Sequence, residues 1–130
     1  MAITHQIILV AMGGAAGAVS RFIVSVLLRS TTNSGFPWAT FGVNLMGCLL
    51  MGLLMGWLWR LPQETSETLR LVLGVGVLGG FTTFSAFSLE LFQLLERRDV
   101  LLGAFYAGGS VIGGVLAFAA GYYFVRAFVS

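Results

Sequence analysis

The stretch Gly74-Val75-Gly76-Val77-Leu78-Gly79-Gly80-Phe81-Thr82-Thr83-Phe84-Ser85-Ala86-Phe87-Ser88 sits inside a long apolar segment, with Arg70 before it and Glu90 after it. Gly74, Gly76, Gly79 and Gly80 fall within seven residues and give the backbone more freedom than an uninterrupted helix uses. Aromatic or hydroxyl-bearing residues then fill all but the last of the positions from Phe81 to Ala86. In a bilayer, non-helical backbone survives only where it is buried in protein or lines a water-filled path. The expectation is a helix break that builds an ion site.

The chain around this stretch has 130 residues, 58% hydrophobic and 9% charged, and a mean hydropathy of +0.95. Soluble domains carry about 25% charged residues, so the composition is that of an integral membrane protein. All the basic side chains are arginine, and a net charge of +2 spread along the chain offers no basic stripe for nucleic acid. Cys48 is the only cysteine, which rules out a disulfide within the chain and a cysteine-based metal motif. Met1 to Gln6 lacks the positive region of a signal peptide, so the apolar run after it reads as a mature helix. A hydrocarbon core of ~30 Å takes roughly 20 apolar residues as helix. Four segments qualify, at about 7–28, 38–59, 69–95 and 100–125. The short connections Arg29–Pro37, Arg60–Thr68 and Glu96–Asp99 leave no room for a soluble domain. Residues 1–130 are thus expected to form one all-α unit of four transmembrane helices with the third one broken.

Arginine near span ends sets orientation by favouring the cytoplasm. With four spans, Arg60, Arg70 and Arg126 fall on one side and Arg29, Arg97 and Arg98 on the other. That balance permits insertion both ways, and with it an antiparallel homodimer whose two-fold axis lies in the membrane plane. Four helices are also few to enclose a path alone.

The polar residues within the spans are the candidate site. In the first span, Gly13 and Gly17 form a small-xxx-small face for close helix packing. Arg21 lies about 10 Å of helix before the end of its run, where it either snorkels to the interface or faces an aqueous vestibule. In the second span, Thr40 and Asn44 share a helical face. An unpaired amide in hydrocarbon costs on the order of several kcal/mol, so Asn44 either holds helices together or lines a polar path. In the third span, Phe84 and Phe87 share a face beside Ser85 and Ser88, either as core or as rings whose positive edges meet a small anion. The carbonyls of the break suit a hard cation, and Glu90, near the span end, has an arginine or backbone as its expected partner. In the fourth span, Tyr106, Ser110 and Gly114 recur every four residues, next to the Gly109/Gly113 pair. His5, Tyr122 and Tyr123 read as interfacial. No Ser-His-Asp set, carboxylate pair or metal-ligand cluster appears, so an enzyme is not expected.

Gly79-Gly80-Phe81-Thr82-Thr83-Phe84-Ser85-Ala86-Phe87-Ser88, together with Gly13-Gly14-Ala15-Ala16-Gly17-Ala18-Val19-Ser20-Arg21-Phe22 and Thr40-Phe41-Gly42-Val43-Asn44, resembles the Fluc (CrcB-type) fluoride channels. The resemblance covers essentially the whole chain. It implies a dual-topology homodimer with two antiparallel fluoride pores in the bacterial cytoplasmic (inner) membrane, and a structural sodium ion held by the carbonyls of Gly79 and Thr82. It implies Asn44, Phe84, Phe87, Tyr106, Ser110 and Thr40 as pore residues. Arg21, Glu90, Thr83 and Ser85 become vestibule or supporting groups. Gly114 stands where some members carry a second serine on the fourth helix, a departure that interrupts the hydroxyl track unless water fills the gap. The expected partners are fluoride, sodium, the lipid bilayer and a second copy of the chain, with no nucleic acid. Two other classes compete: a small dual-topology proton-coupled exporter, which calls for a carboxylate in the first span that this chain lacks, and a non-transporting membrane scaffold subunit, which explains the glycine pairs but not the polar faces.

Overall fold

A computed structural model describes residues 1–29 and 35–129. The first connection, expected as a Gly- and Pro-containing turn, lies largely in 30–34, outside the described residues. Among the described residues all regular structure is helical. The order is α1 (Ile3–Leu27), α2 (Trp38–Leu58), α3 (Gln63–Leu69), a π-helical segment (Arg70–Leu78), α4 (Gly79–Phe81), α5 (Phe84–Glu96) and α6 (Val100–Phe128). α3 to α5 run as one candidate span, Gln63–Glu96, so four helical spans are long and apolar enough to cross a bilayer.

Helix bounds and apolar runs differ at the polar ends. α1 begins at Ile3 rather than residue 7, and α6 continues to Phe128. Helical hydrogen bonding does not stop where hydropathy falls. The second connection is shorter than expected for the same reason. Pro62, at φ −54°, leads directly into α3 with Glu64 in its first turn, a favourable place for an acid. Glu67 and Arg70 then pair at 2.8 Å, one turn apart.

Glycine sets which helices touch. A Cβ at Gly13 or Gly17 would run into the carbonyl oxygens of Val72 and Val77, and one at Gly80 would stand 2.5 Å from Gly14 O. α1 therefore lies backbone to backbone on the π-helical segment and α4. Likewise α2 lies on α6, where Gly52 faces the Phe118 carbonyl and Gly56 the Tyr122 carbonyl. These close crossings replace the hydrophobic drive that lipid removes.

The glycines of the third span are not where the helix stops. Gly74 and Gly76 are wound in the π-helical segment and Gly79 sits at φ −63°, all compatible with any residue. The extended backbone falls on Thr82 (φ −82°, ψ 157°) and Thr83 (φ −150°, ψ 121°). Gly76 and Gly80 serve close approach, and the threonines, β-branched and able to bond the backbone with their hydroxyls, carry the interruption.

The third connection is a tight reversal. Arg98 has φ +63°, and Arg98 N–H and Asp99 N–H donate to the carbonyls of Leu95 and Leu94, the pattern of a Schellman stop with arginine in the usual glycine position. Arg97 reaches across to the Gly35 carbonyl at 3.1 Å, tying this turn to the start of α2.

Candidate functional site

Each helical carbonyl expects an N–H four residues on, and the interruption at Thr82–Thr83 withdraws those donors one by one. Thr82 still gives both its N–H and its hydroxyl to Leu78 O, each at 3.0 Å. Thr83 N–H, which a continuing helix would aim at Gly79 O, donates instead to Asn44 Oδ1 at 2.8 Å. The Asn44 amide returns a bond, Nδ2 to Thr83 O at 3.0 Å. Gly80 O receives Arg21 Nε at 3.4 Å. On the far side, Thr83 caps α5, its Oγ1 accepting from Ala86 N–H at 3.1 Å, with the Ser85 hydroxyl 3.3 Å away. Two opposed helix ends thus meet here. The carbonyl end of α4 is negative and the N-terminus of α5 is positive.

Thr83 divides two depressions. One, of about 250 Å³, is lined by Asn44, Cys48, Thr82, Thr83, Phe84, Phe87, Ser110 and Val111. The Phe84 and Phe87 ring centroids are 5.6 Å apart. Phe87 is 8% exposed and packs on Tyr106 at 4.9 Å, while Phe84 is 79% exposed in the single chain. Ser110 Oγ is the one buried side-chain nitrogen or oxygen among the described residues that has no hydrogen-bond partner.

The other depression, of about 210 Å³, brings Arg21, Thr40, Thr83 and Glu90 together. Thr40 Oγ1 donates to Glu90 Oε1 at 2.6 Å, and the hydroxyl of the fully buried Tyr106 donates to Oε2 at 3.2 Å. The described hydrogen bonds of Glu90 are therefore to two hydroxyls, in place of the arginine or backbone expected from its position. Two neutral donors satisfy both carboxylate oxygens, so a salt bridge is not required to keep it at this depth.

The sequence candidates thus separate. Asn44, Phe84, Phe87 and Ser110 share the first depression. Thr40, Glu90 and Arg21 share the second, although Thr40 and Asn44 lie on one face of α2. Tyr106 sits between them, its ring against Phe87 and its hydroxyl on Glu90. Ser85 and Gly79 are exposed on the chain's outside. Arg21 turns towards α4, where its Nε reaches the Gly80 carbonyl. Cys48 was not among the candidates. Its place one turn after Asn44 was the available signal.

The family described as "CrcB-like protein, Camphor Resistance (CrcB)" matches residues 8–122. The chain is 56% identical over 108 residues to a protein of Novosphingobium aromaticivorans named "Fluoride-specific ion channel FluC", covering 82% of this chain and 84% of that one. It is 44% identical over 117 residues to a protein of the same name from Caulobacter vibrioides (90% and 92% covered). A third, from Phenylobacterium zucineum, is 47% identical over 122 residues (94% and 96%).

Proposed function

The chain belongs to the CrcB family, and from that membership we propose that it is a fluoride-selective channel, letting fluoride leave the cell passively across the bacterial cytoplasmic membrane and so relieving fluoride toxicity. The observation that carries the reading is the convergence of Asn44, Ser110, Phe84 and Phe87 on one depression beside the N-terminus of α5. Fluoride is small, strongly hydrated and a strong hydrogen-bond acceptor, so removing its water requires donors. Asn44 spends one N–H on Thr83 and keeps another, and the Ser110 hydroxyl is unpartnered. The positive end of α5 favours an anion at the same place. Phenylalanine edges attract weakly enough for release, which conduction demands. No bond is made or broken, so the protein is a conductor and not an enzyme.

The working unit in this reading is an antiparallel, dual-topology homodimer with two pores. Its support is the three-to-three arginine balance and the exposure of Gly79, Phe84 and Ser85 on one chain. A second copy would cover that face and close the depression. The same break fits a structural sodium ion. The donor for Gly79 O is diverted to Asn44 and Thr82 is extended, leaving carbonyl oxygens of the kind hard cations take. Gly79 and Thr82 would hold it, and the ion would supply positive potential and a tie between the two copies. The residues of this chain hold the break open for it: Asn44 by pinning Thr83, Arg21 by occupying Gly80 O.

The test is efflux from liposomes carrying the purified protein, followed for fluoride beside chloride. Fluoride release with chloride retained is the expected result, and equal passage of chloride would refute selectivity. Replacing sodium by a larger cation should abolish flux with the protein still folded. Unchanged flux without sodium removes the ion from the reading and leaves the pore.

A further inference from the structure

Gly114 leaves the fourth helix without a hydroxyl one turn beyond Ser110, yet the space beside it is filled. A Cβ added at Gly114 would lie 3.2 Å from Cys48 Sγ, closer than ordinary van der Waals contact. Cys48 follows Asn44 by one turn on α2, as Gly114 follows Ser110 on α6. The two helices therefore present facing ladders, Asn44 and Cys48 against Ser110 and Gly114. Cys48 lines the same depression as the unpartnered, buried Ser110 hydroxyl.

We infer that the Cys48 thiol lines the ion path and continues the donor track on α2 where Gly114 breaks it on α6. The inference rests on the channel reading of this depression. An S–H is a weak donor on a soft, mostly apolar atom. It can turn towards a passing anion without holding it, which suits a step between stronger sites. The glycine is the complement: a side chain at 114 and a thiol at 48 compete for one space, so a donor comes from one helix or the other.

The experiment uses the full chain in liposomes, with Ag⁺ as probe. Ag⁺ displaces the thiol proton, forming an S–Ag bond and releasing H⁺, and excess dithiothreitol removes it. Wild-type fluoride efflux is expected to stop with Ag⁺ and recover with dithiothreitol, while the efflux of Cys48→Ala ignores silver. Cys48→Ala should conduct about three- to tenfold more slowly, the worth of one neutral hydrogen bond. Cys48→Ser should conduct as wild type does, and adding Gly114→Ser to Cys48→Ala should restore flux by returning a hydroxyl from the opposite helix. A purely structural Cys48 would not be replaced by a group on another helix. Should Cys48→Ala fail to fold, silver on the wild type and Cys48→Ser decide the matter. A conducting wild type that ignores silver overturns the inference alone. A wild type that passes no fluoride overturns the channel reading, and the inference with it.

Discussion

The side-chain amide of Asn44 and the backbone of Thr83 form a two-point pair, with Thr83 N–H on Oδ1 at 2.8 Å and Nδ2 on Thr83 O at 3.0 Å. The geometry copies one rung of a sheet, in which a residue exchanges both its groups with a neighbour. It lets a β-like residue stand between two helices inside a membrane span without an unpaired N–H.

Asn44→Asp keeps the acceptor for Thr83 N–H and replaces the donor with a carboxylate oxygen facing a carbonyl. The variant should be destabilised by about 1–3 kcal/mol, read as a lower thermal midpoint in detergent, and should lose fluoride flux. Asn44→Ser, which reaches neither group fully, should fall between. A midpoint equal to wild type for Asn44→Asp would show that the pair does not hold the break.

Thr40 and Tyr106 reach the same carboxylate from different helices. Thr40→Val and Tyr106→Phe should therefore couple through Glu90 by about 0.5–2 kcal/mol in a double-mutant cycle on stability. The same cycle in a Glu90→Ala background should collapse to additivity. Coupling that survives without Glu90 would mean that the Thr40 and Tyr106 hydroxyls act on each other directly.

Arg98 holds a left-handed backbone at φ +63°, which costs a side-chain-bearing residue about 1–2 kcal/mol. Arg98→Gly should raise stability by about 0.5–1 kcal/mol once its greater unfolded-state freedom is counted. It also removes one arginine from a balanced set. The ratio of the two orientations, read from tags accessible on each side, should shift if loop charge sets the topology.

Glycine substitutions should divide by crossing. Gly17→Ala places a methyl group into the Val77 carbonyl and should prevent stable folding, whereas Gly42→Ala meets nothing within 4 Å of its Cβ in the single chain and should fold. A Gly42→Ala chain that folds yet fails to pair, seen by cross-linking in membranes, would place Gly42 against the second copy.

Hydropathy made the four spans legible, since lipid demands long apolar helices and little else produces them. The Gly13 and Gly17 spacing likewise marked the face of α1 that the structure brings against the third span. The glycines of that span misled on detail. Freedom of backbone and closeness of backbone favour the same residue, and sequence does not tell them apart. Here Gly76 and Gly80 serve closeness, while Thr82 and Thr83 leave the helix. The partners of Glu90 were hidden because its hydroxyls come from α2 and α6, far away in the chain. Arg21 could not be oriented from α1 alone, because what draws it inward is a carbonyl made available by the interruption in another span. Cys48 looked like one more small apolar residue until α6 was laid against it.

Asn44 and Thr83 belong to one chain, so their pair closes when α2 and α5 meet, without help from another molecule. A newly inserted chain can then carry both backbone groups of Thr83 already paired. In the proposed antiparallel dimer, the meeting of two such copies would be a question of surface density and time rather than of closing this pair. On that proposal, assembly at low expression would be governed by how often two chains meet, and not by whether the pair of Asn44 and Thr83 has closed.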